Sequence, residues 1–248
     1  MGVNGIFMKK IKKSNELLWL LGIVFVALGV ALCNKADLGV SMIAAPAFVV
    51  SEALQSISGF FSPGTTEYLL QGAILILMCA LVRRFDWRFL LAFVVAMGYG
   101  YILDLFIWII GGIQVNTALG SWITLLIGDC VTAFGVACFF RTDMPLLVYE
   151  LFVAETANKY NIKISQMKLC FDLSLLVISI VLAFSLFGDA AAFEWSTIWK
   201  NSFHSIGLGT LITTAINSPL ISLMGKLIDR FFESDPRFPK LVSFLKRK

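Results

Sequence analysis

The segment GIVFVALGVALCNKAD at residues 22–37 recurs, with changes, as GDCVTAFGVACFFRTD at residues 128–143. The two segments align without gaps, are identical at six of 16 positions, and both end in a basic residue, one further residue and an aspartate. Membrane helices reuse small residues for close packing, so the shared Gly and Ala count for little alone. The matching basic-x-Asp end indicates an internal duplication. Further along, Gly98-Tyr99-Gly100 aligns with Gly207-Leu208-Gly209.

The composition around these segments is that of a membrane protein. Of the 248 residues, 58% are hydrophobic and 15% are charged, and the mean hydropathy is +0.86. Soluble domains have about 45–50% apolar and about 25% charged residues. The composition therefore excludes a soluble globular enzyme, a disordered chain and a disulfide-rich secreted domain.

Apolar runs of about 20 residues, the length that crosses a bilayer, predict six spans. They lie at residues 17–34, 65–83, 88–111, 119–140, 166–187 and 197–220. Two further apolar segments, 40–57 and 144–160, are interrupted by Pro46 and Pro145. Each could be a full span or a shorter helix that enters and leaves the membrane on one side.

The distribution of Lys and Arg favours the shorter alternative. If neither interrupted segment crosses, the two halves are inverted, with 18 basic residues inside and two outside. If both cross, the division becomes 14 and six. The positive-inside rule therefore favours the inverted arrangement with both termini in the cytoplasm. The eight-span arrangement with parallel halves stays open.

The expected fold class is all-α, a polytopic transmembrane helix bundle in the plasma membrane. It contains an inverted internal duplication, with three spans and one interrupted helix in each half. The chain divides into a cytoplasmic N-terminal segment, two membrane repeats, and a cytoplasmic amphipathic helix with a basic tail, at residues 1–16, 17–118, 119–221 and 222–248.

Two aspartates, Asp104 and Asp129, lie well inside predicted spans. A charged side chain in hydrocarbon costs about 2.5–3.5 kcal/mol unless it is paired or hydrated. Each acid could form an interhelical hydrogen bond, or it could contact a proton, cation or substrate in an aqueous path. Both interpretations stay open.

The starts of the two interrupted helices form a second group of candidates. Asp37 and Asp143 are best explained as N-caps that accept hydrogen bonds from free backbone N–H groups. Alternatively, the positive ends of both helices point at a shared site near the membrane midplane, with Ser41 and Glu150 beside it. The predicted solute-contacting residues are therefore Asp37, Ser41, Asp104, Asp129, Asp143 and Glu150.

Sequence signatures of enzymes are missing. His204 is the only histidine, which excludes an HExxH zinc site, and no GxSxG or P-loop motif occurs. The five cysteines form no CxxC pair. We therefore expect no catalytic residue, metal or cofactor. A net charge of +4 is too small to suggest a nucleic-acid partner.

Two short motifs resemble the YitT/YczE family of bacterial integral membrane proteins. They are the segment Ala36-Asp37-Leu38-Gly39-Val40-Ser41 and the segment Gly98-x-Gly100-x-x-x-Asp104, and the chain length agrees. The resemblance implies a plasma-membrane protein for which transport is the usual guess, and it supplies no substrate. The second-half counterpart, Asp143-Met144-Pro145, lacks the glycine, so the two helix starts differ.

The duplication and the embedded acids together predict a secondary transporter or exporter of a small polar solute. Its partners would be the lipid bilayer and a small solute or ion, and assembly into a homo-oligomer stays open. The alternative is a membrane protein that transports nothing and regulates or scaffolds another protein.

Overall fold

The computed structural model describes residues 11–142, 144–187 and 203–235. These residues form an all-α bundle of eight helices, which confirms the predicted fold class. A short parallel pairing of β1 (Ile11–Ser14) with β2 (Phe232–Asp235) brings the two described ends of the chain together. The helices are α1 (Asn15–Ala36), α2 (Ala45–Gln55), α3 (Pro63–Val82), α4 (Trp87–Gly111), α5 (Ala118–Phe139), α6 (Val148–Tyr160), α7 (Ile164–Phe187) and α8 (Leu208–Phe231).

Six of these helices are long and apolar enough to cross a membrane, namely α1, α3, α4, α5, α7 and α8. The protein is therefore a multi-pass integral membrane protein. Helices α2 and α6 have 11 and 13 residues, about 17–20 Å at 1.5 Å per residue. Since the hydrocarbon core is about 30 Å thick, both are too short to span it.

The last span begins later than the predicted 197–220. Helix α8 begins at Leu208, after a turn in which Phe203 and Ile206 exchange two backbone hydrogen bonds of 2.7 and 2.9 Å. It then continues through Pro219 to Phe231, so the amphipathic segment predicted from residue 222 is continuous with the span. Residues 197–202 lie outside the described residues, as does the basic tail after residue 235.

Helices α1 and α5 pack closely through glycines, and they run antiparallel. A Cβ on Gly22 would lie 3.1 Å from the Gly135 carbonyl oxygen, and one on Gly29 would lie 2.6 Å from the Gly128 carbonyl oxygen. The early glycine of each helix therefore faces the late glycine of the other. Such reciprocity is characteristic of an interface around a two-fold axis.

The antiparallel direction decides between the two predicted topologies. Helix α5 is the fourth crossing when α2 and α6 do not span, which makes it antiparallel to α1. It would be the fifth crossing, and parallel to α1, in the eight-span arrangement, which the glycine contacts exclude.

Other contacts between helices also occur in matching pairs. Helix α2 packs on α3 and on α7, and its counterpart α6 packs on α7 and on α3. Similarly, α4 packs on α1, and its counterpart α8 packs on α5. These pairs fit two inverted halves, although the extensive α3–α4 contact has no comparable α7–α8 counterpart among the described residues. The common origin of the halves stays a prediction.

Two apolar clusters fill the bundle around a polar centre. One cluster joins α1, α4 and α5 through residues such as Val30, Leu103 and Phe139. The other joins α3, α4, α6 and α7 through residues such as Met78 and Phe152. The starts of α2 and α6 meet between these clusters, and this position holds the candidate site.

Candidate functional site: a buried polar cavity

A cavity of about 40 Å³ lies where the starts of α2 and α6 meet the spanning helices. A water molecule needs roughly 10–15 Å³ by this measure, so the cavity is sized for a few waters or one small ion. Its polar lining consists of Ser41, Glu67, Tyr99, Thr132, Tyr149, Glu150, Lys168 and Asn217.

Glu67 is the most deeply buried acid in this lining, with 1% of its surface exposed. It lies in the second turn of α3, and its Oε2 atom has no hydrogen-bond partner in the described part of the chain. The Tyr149 hydroxyl lies beside the carboxyl group, close enough to interact with its charge, but without good hydrogen-bond geometry. The Glu67 Oε2 atom is therefore available to a ligand.

Gln71, one turn after Glu67 on α3, fixes the start of α6. It is fully buried, and its Oε1 atom accepts a hydrogen bond of 3.3 Å from the Val148 backbone N–H. Val148 is the first residue of α6, where backbone N–H groups have no partner within the helix. Gln71 therefore places the next two residues, Tyr149 and Glu150, at the cavity.

Lys168 on α7 supplies a positive charge to the lining. Its Nζ atom lies 3.2 Å from Asp172 Oδ2, one turn along the same helix. Glu150, which lies on α6 outside the six spans, interacts with this ammonium group. Burial raises the pKa of the Glu150 carboxyl, and Lys168 partly offsets that rise.

A second, larger cavity of about 410 Å³ opens beside the first. Its polar lining includes Arg84, Asp86, Arg88 and Glu155, and the connection from α5 to α6 contributes Pro145 and Leu146. The residues that follow in this connection line the small cavity instead. The start of α6 therefore forms the wall between the open cleft and the buried centre.

The corresponding connection from α1 to α2 is closed by backbone contacts. Val40 N–H donates to Ser205 O at 3.0 Å, and Gly209 N–H donates to Leu38 O at 2.8 Å. Gly39 lies between the two bonds with a φ of +103°, a conformation that glycine adopts readily. These bonds join the connection to the start of α8.

A side-chain contact reinforces this closed side. Glu52 Oε1 on α2 lies 2.7 Å from His204 Nδ1. The imidazole ring also stacks on Phe187 at the end of α7, with ring centroids 3.5 Å apart. The contact connects α2 to the segment that precedes α8.

The structure brings two of the predicted site residues, Ser41 and Glu150, to the small cavity. Asp37 is the exposed C-cap of α1, with a φ of +54°. Its prediction as an N-cap is wrong, because seven more residues pass the start of α8 before α2 begins, and no side chain caps α2. Asp143 lies outside the described residues.

Asp104 lies away from this cavity and binds the start of another helix. Its Oδ2 atom accepts a hydrogen bond of 2.6 Å from Ser62 Oγ, and its Oδ1 atom accepts one of 2.7 Å from the Gly64 backbone N–H. Asp104 thereby satisfies polar groups at the N-terminus of α3, which favours a carboxylate there. These bonds support its interpretation as an interhelical structural residue.

Asp129 is buried in α5, with 2% of its surface exposed, and it does not line the small cavity. Its Oδ2 atom has no hydrogen-bond partner among the described residues. Its neighbour Gly128 contacts α1, so Asp129 is held near the close α1–α5 interface.

Several cavity residues were not among those predicted, and Glu67 and Gln71 are the most important of them. Both are polar and lie four residues apart, so they share one face of an apolar helix. Glu67 comes two residues after the predicted start of the span at 65, where an acid is easily taken as interfacial. The four-residue spacing of Glu67 and Gln71 was the sequence pattern that could have predicted a shared polar face.

Comparison with known proteins gives a family and no function. The model of a family of unknown function, DUF6198, matches residues 13–226. No curated protein and no solved structure matches the chain. The matched region contains α1 to α7 and most of α8, so the chain belongs to the family of unknown function DUF6198.

Proposed function

We propose that this protein is a secondary transporter or exporter of a small polar solute. The observation that carries the proposal is the buried polar cavity, which has an open cleft on one side and a backbone-bonded wall on the other. A transporter needs a central site that is closed to one side while it is accessible from the other.

The cavity contains more polar groups than a structural core requires. A buried polar group without a hydrogen bond costs about 1–3 kcal/mol in proteins, and Glu67 and Gln71 each leave an atom unpaired in the described structure. Apolar residues would pack these positions without that cost. Retaining polar residues here favours a role in binding.

The two short helices supply a route for alternating access. The start of α6 separates the open cleft from the centre, and the connection before α2 closes the opposite side. The Arg84 and Arg88 side chains line the cleft, so the positive-inside rule assigns this side to the cytoplasm. In the described conformation the centre would then be closed on both sides, with the cytoplasmic cleft ending at the start of α6, and transport would open the two sides in turn.

The size and lining of the cleft indicate the class of solute. Its volume of about 410 Å³ falls in the range of small-molecule sites, about 300–1,000 Å³. Basic, acidic and amide side chains line it together, which favours a polar solute over a lipid.

A thermal-shift screen of the detergent-purified protein against amino acids, organic acids, nucleosides and polyamines tests the proposal. A solute at about 100 times its Kd stabilises the folded state by about 2.7 kcal/mol. We expect Glu155→Gln, in the cleft lining, to weaken the response to a hit and Asp129→Asn, a buried acid outside the cleft, to keep it. The hit should then accumulate in proteoliposomes that contain the wild-type protein.

A blank screen on folded protein would contradict the proposal. If a partner protein also copurified stoichiometrically in mild detergent, the alternative role as a regulatory or scaffolding membrane protein would be favoured.

A further inference from the structure

Four buried side-chain oxygen atoms around the small cavity have no hydrogen-bond partner in the described structure. One is the Tyr149 hydroxyl oxygen, and the other three are carboxyl and amide oxygens, namely Glu67 Oε2, Glu150 Oε2 and Asn217 Oδ1, from α3, α6 and α8. In proteins, at least nine in ten buried polar groups are hydrogen-bonded. Three unpaired acceptors from separate helices around one cavity therefore indicate a ligand that accepts their lone pairs.

The charges around the cavity favour a positive ligand. Lys168 also lines it, but its ammonium group is paired with Asp172 at 3.2 Å. Neither Glu67 nor Glu150 forms an ion pair within residues 11–142, 144–187 and 203–235. The one basic side chain of the lining is therefore already paired, and Glu67 and Glu150 have no ion-pair partner of their own, so a monovalent cation would stabilise their ionised forms.

The donor set selects a small, hard cation. Carboxylate, amide and hydroxyl oxygens suit hard cations, whereas histidine and cysteine ligands suit transition metals. The described residues contain no cluster of three or more His, Cys, Asp or Glu side chains that could hold a metal ion, which disfavours a multivalent ion. A volume of about 40 Å³ admits one ion with a water molecule.

Hydroxyl groups in the lining complete the oxygen set. Thr132 Oγ1 donates its hydrogen to Gly128 O at 2.9 Å, so its lone pairs remain free to face a cation. Ser41 and Tyr149 supply further hydroxyl oxygens. A monovalent ion can therefore draw ligands from four helices and from the connection before α2.

We propose that the small cavity binds an alkali-metal cation through Glu67, Glu150 and Asn217. The cation would be the coupling ion of transport, and in this respect the inference rests on the proposed function. Because the short helix α6 supplies Glu150 and Gln71 holds the start of that helix, binding would fix the wall between the cleft and the centre.

The experiment compares the melting temperature of the purified protein in equal concentrations of NaCl, KCl, LiCl and N-methyl-D-glucamine chloride at constant pH. We expect a saturable rise with at least one alkali cation relative to the organic cation. Glu67→Gln should weaken the apparent affinity by about 10- to 100-fold, the effect of losing one interaction with a charged group.

Asp129→Asn is the matched control, because it makes the same change in a buried acid that does not line the cavity, and it should keep the response. Asn217→Ala keeps both carboxylates and provides a second variant if Glu67→Gln does not fold. It should also weaken the response.

Equal melting temperatures in all four salts would overturn the inference. If the melting temperature of the same protein then changed only with pH, the cavity would be assigned to a proton shared by the carboxyl groups. A cation response without solute transport would support the site and contradict the proposed function. Solute transport without any cation response would support the proposed function and contradict the cation site.

Discussion

The connections that precede the two short helices occupy equivalent places in the aligned halves, yet they differ in structure. Residues 38–44, before α2, are bonded by two backbone hydrogen bonds to the segment around the start of α8. In the connection before α6, Met144, Pro145 and Leu146 border an open cleft of about 410 Å³. Only the α6 side of the polar centre therefore borders an open cleft, and the start of α6 separates the two.

A single pair of aligned positions accounts for much of this difference. Gly39 in the first half aligns with Pro145 in the second. Gly39 adopts a φ of +103° and allows close backbone approach, whereas the proline ring fixes φ at about −65° and cannot adopt that conformation. The Pro145 carbonyl instead accepts a hydrogen bond of 2.8 Å from Trp19 Nε1. Two connections at equivalent positions can thus differ in structure, one closed and one beside an open cleft, because their local residues differ.

Gly39→Ala should break the closed connection and have the largest effect. A Cβ there would lie 2.4 Å from Thr210 Oγ1 and 2.6 Å from the Gly207 backbone nitrogen. Backbone strain and overpacking each cost about 1–3 kcal/mol, so we expect a loss of about 2–6 kcal/mol in unfolding free energy, measured by thermal denaturation. Gly59→Ala is the control, since its Cβ would meet nothing within 4 Å. Equal stability of both variants would contradict the closed arrangement.

Gln71→Leu should loosen the open side selectively. It leaves the Val148 N–H without its acceptor at 3.3 Å, at a cost of about 1–3 kcal/mol. Hydrogen–deuterium exchange should become faster at the start of α6 and stay unchanged at the start of α2. The exposed Gln114→Leu should have almost no effect. Equally faster exchange at both helix starts would show that Gln71 supports the whole bundle and not this connection.

The Glu52–His204 contact should make the smallest contribution. The Glu52 side chain is 45% exposed, and ion pairs in such positions contribute about 0.2–1 kcal/mol. A double-mutant cycle with Glu52→Gln and His204→Asn should give a coupling energy in this range. A larger coupling would make this side chain pair, and not the backbone bonds, the principal closure of the α2 side.

The spans and the short helices could be predicted from sequence because apolar length and proline position determine them locally. The start of α8 could not, since the turn at Phe203 and Ile206 depends on backbone hydrogen bonds within an otherwise apolar segment. Hydropathy averages over such a turn and places the span too early.

The site was only partly predictable for a related reason. Ser41 and Glu150 follow from their position at the interrupted helices. Asp104 binds a helix start 40 residues earlier in the chain, and nothing in its local sequence indicates that partner. Glu67 is equally dependent on context, because burial by α4 and α6 makes a residue near a helix end part of the centre.

The reciprocal contact between Gly22, Gly29, Gly128 and Gly135 has a consequence for biosynthesis. Roughly 100 residues separate the two helices, and a ribosome adds about 5–20 residues per second, so α1 enters the membrane roughly 5–20 s before α5 has been synthesised. During that interval the glycine face of α1 has no protein surface against it. The first half is therefore exposed to lipid until the second half has been synthesised. A chain that terminated before α5 would keep this exposed surface and would be a substrate for quality-control proteases.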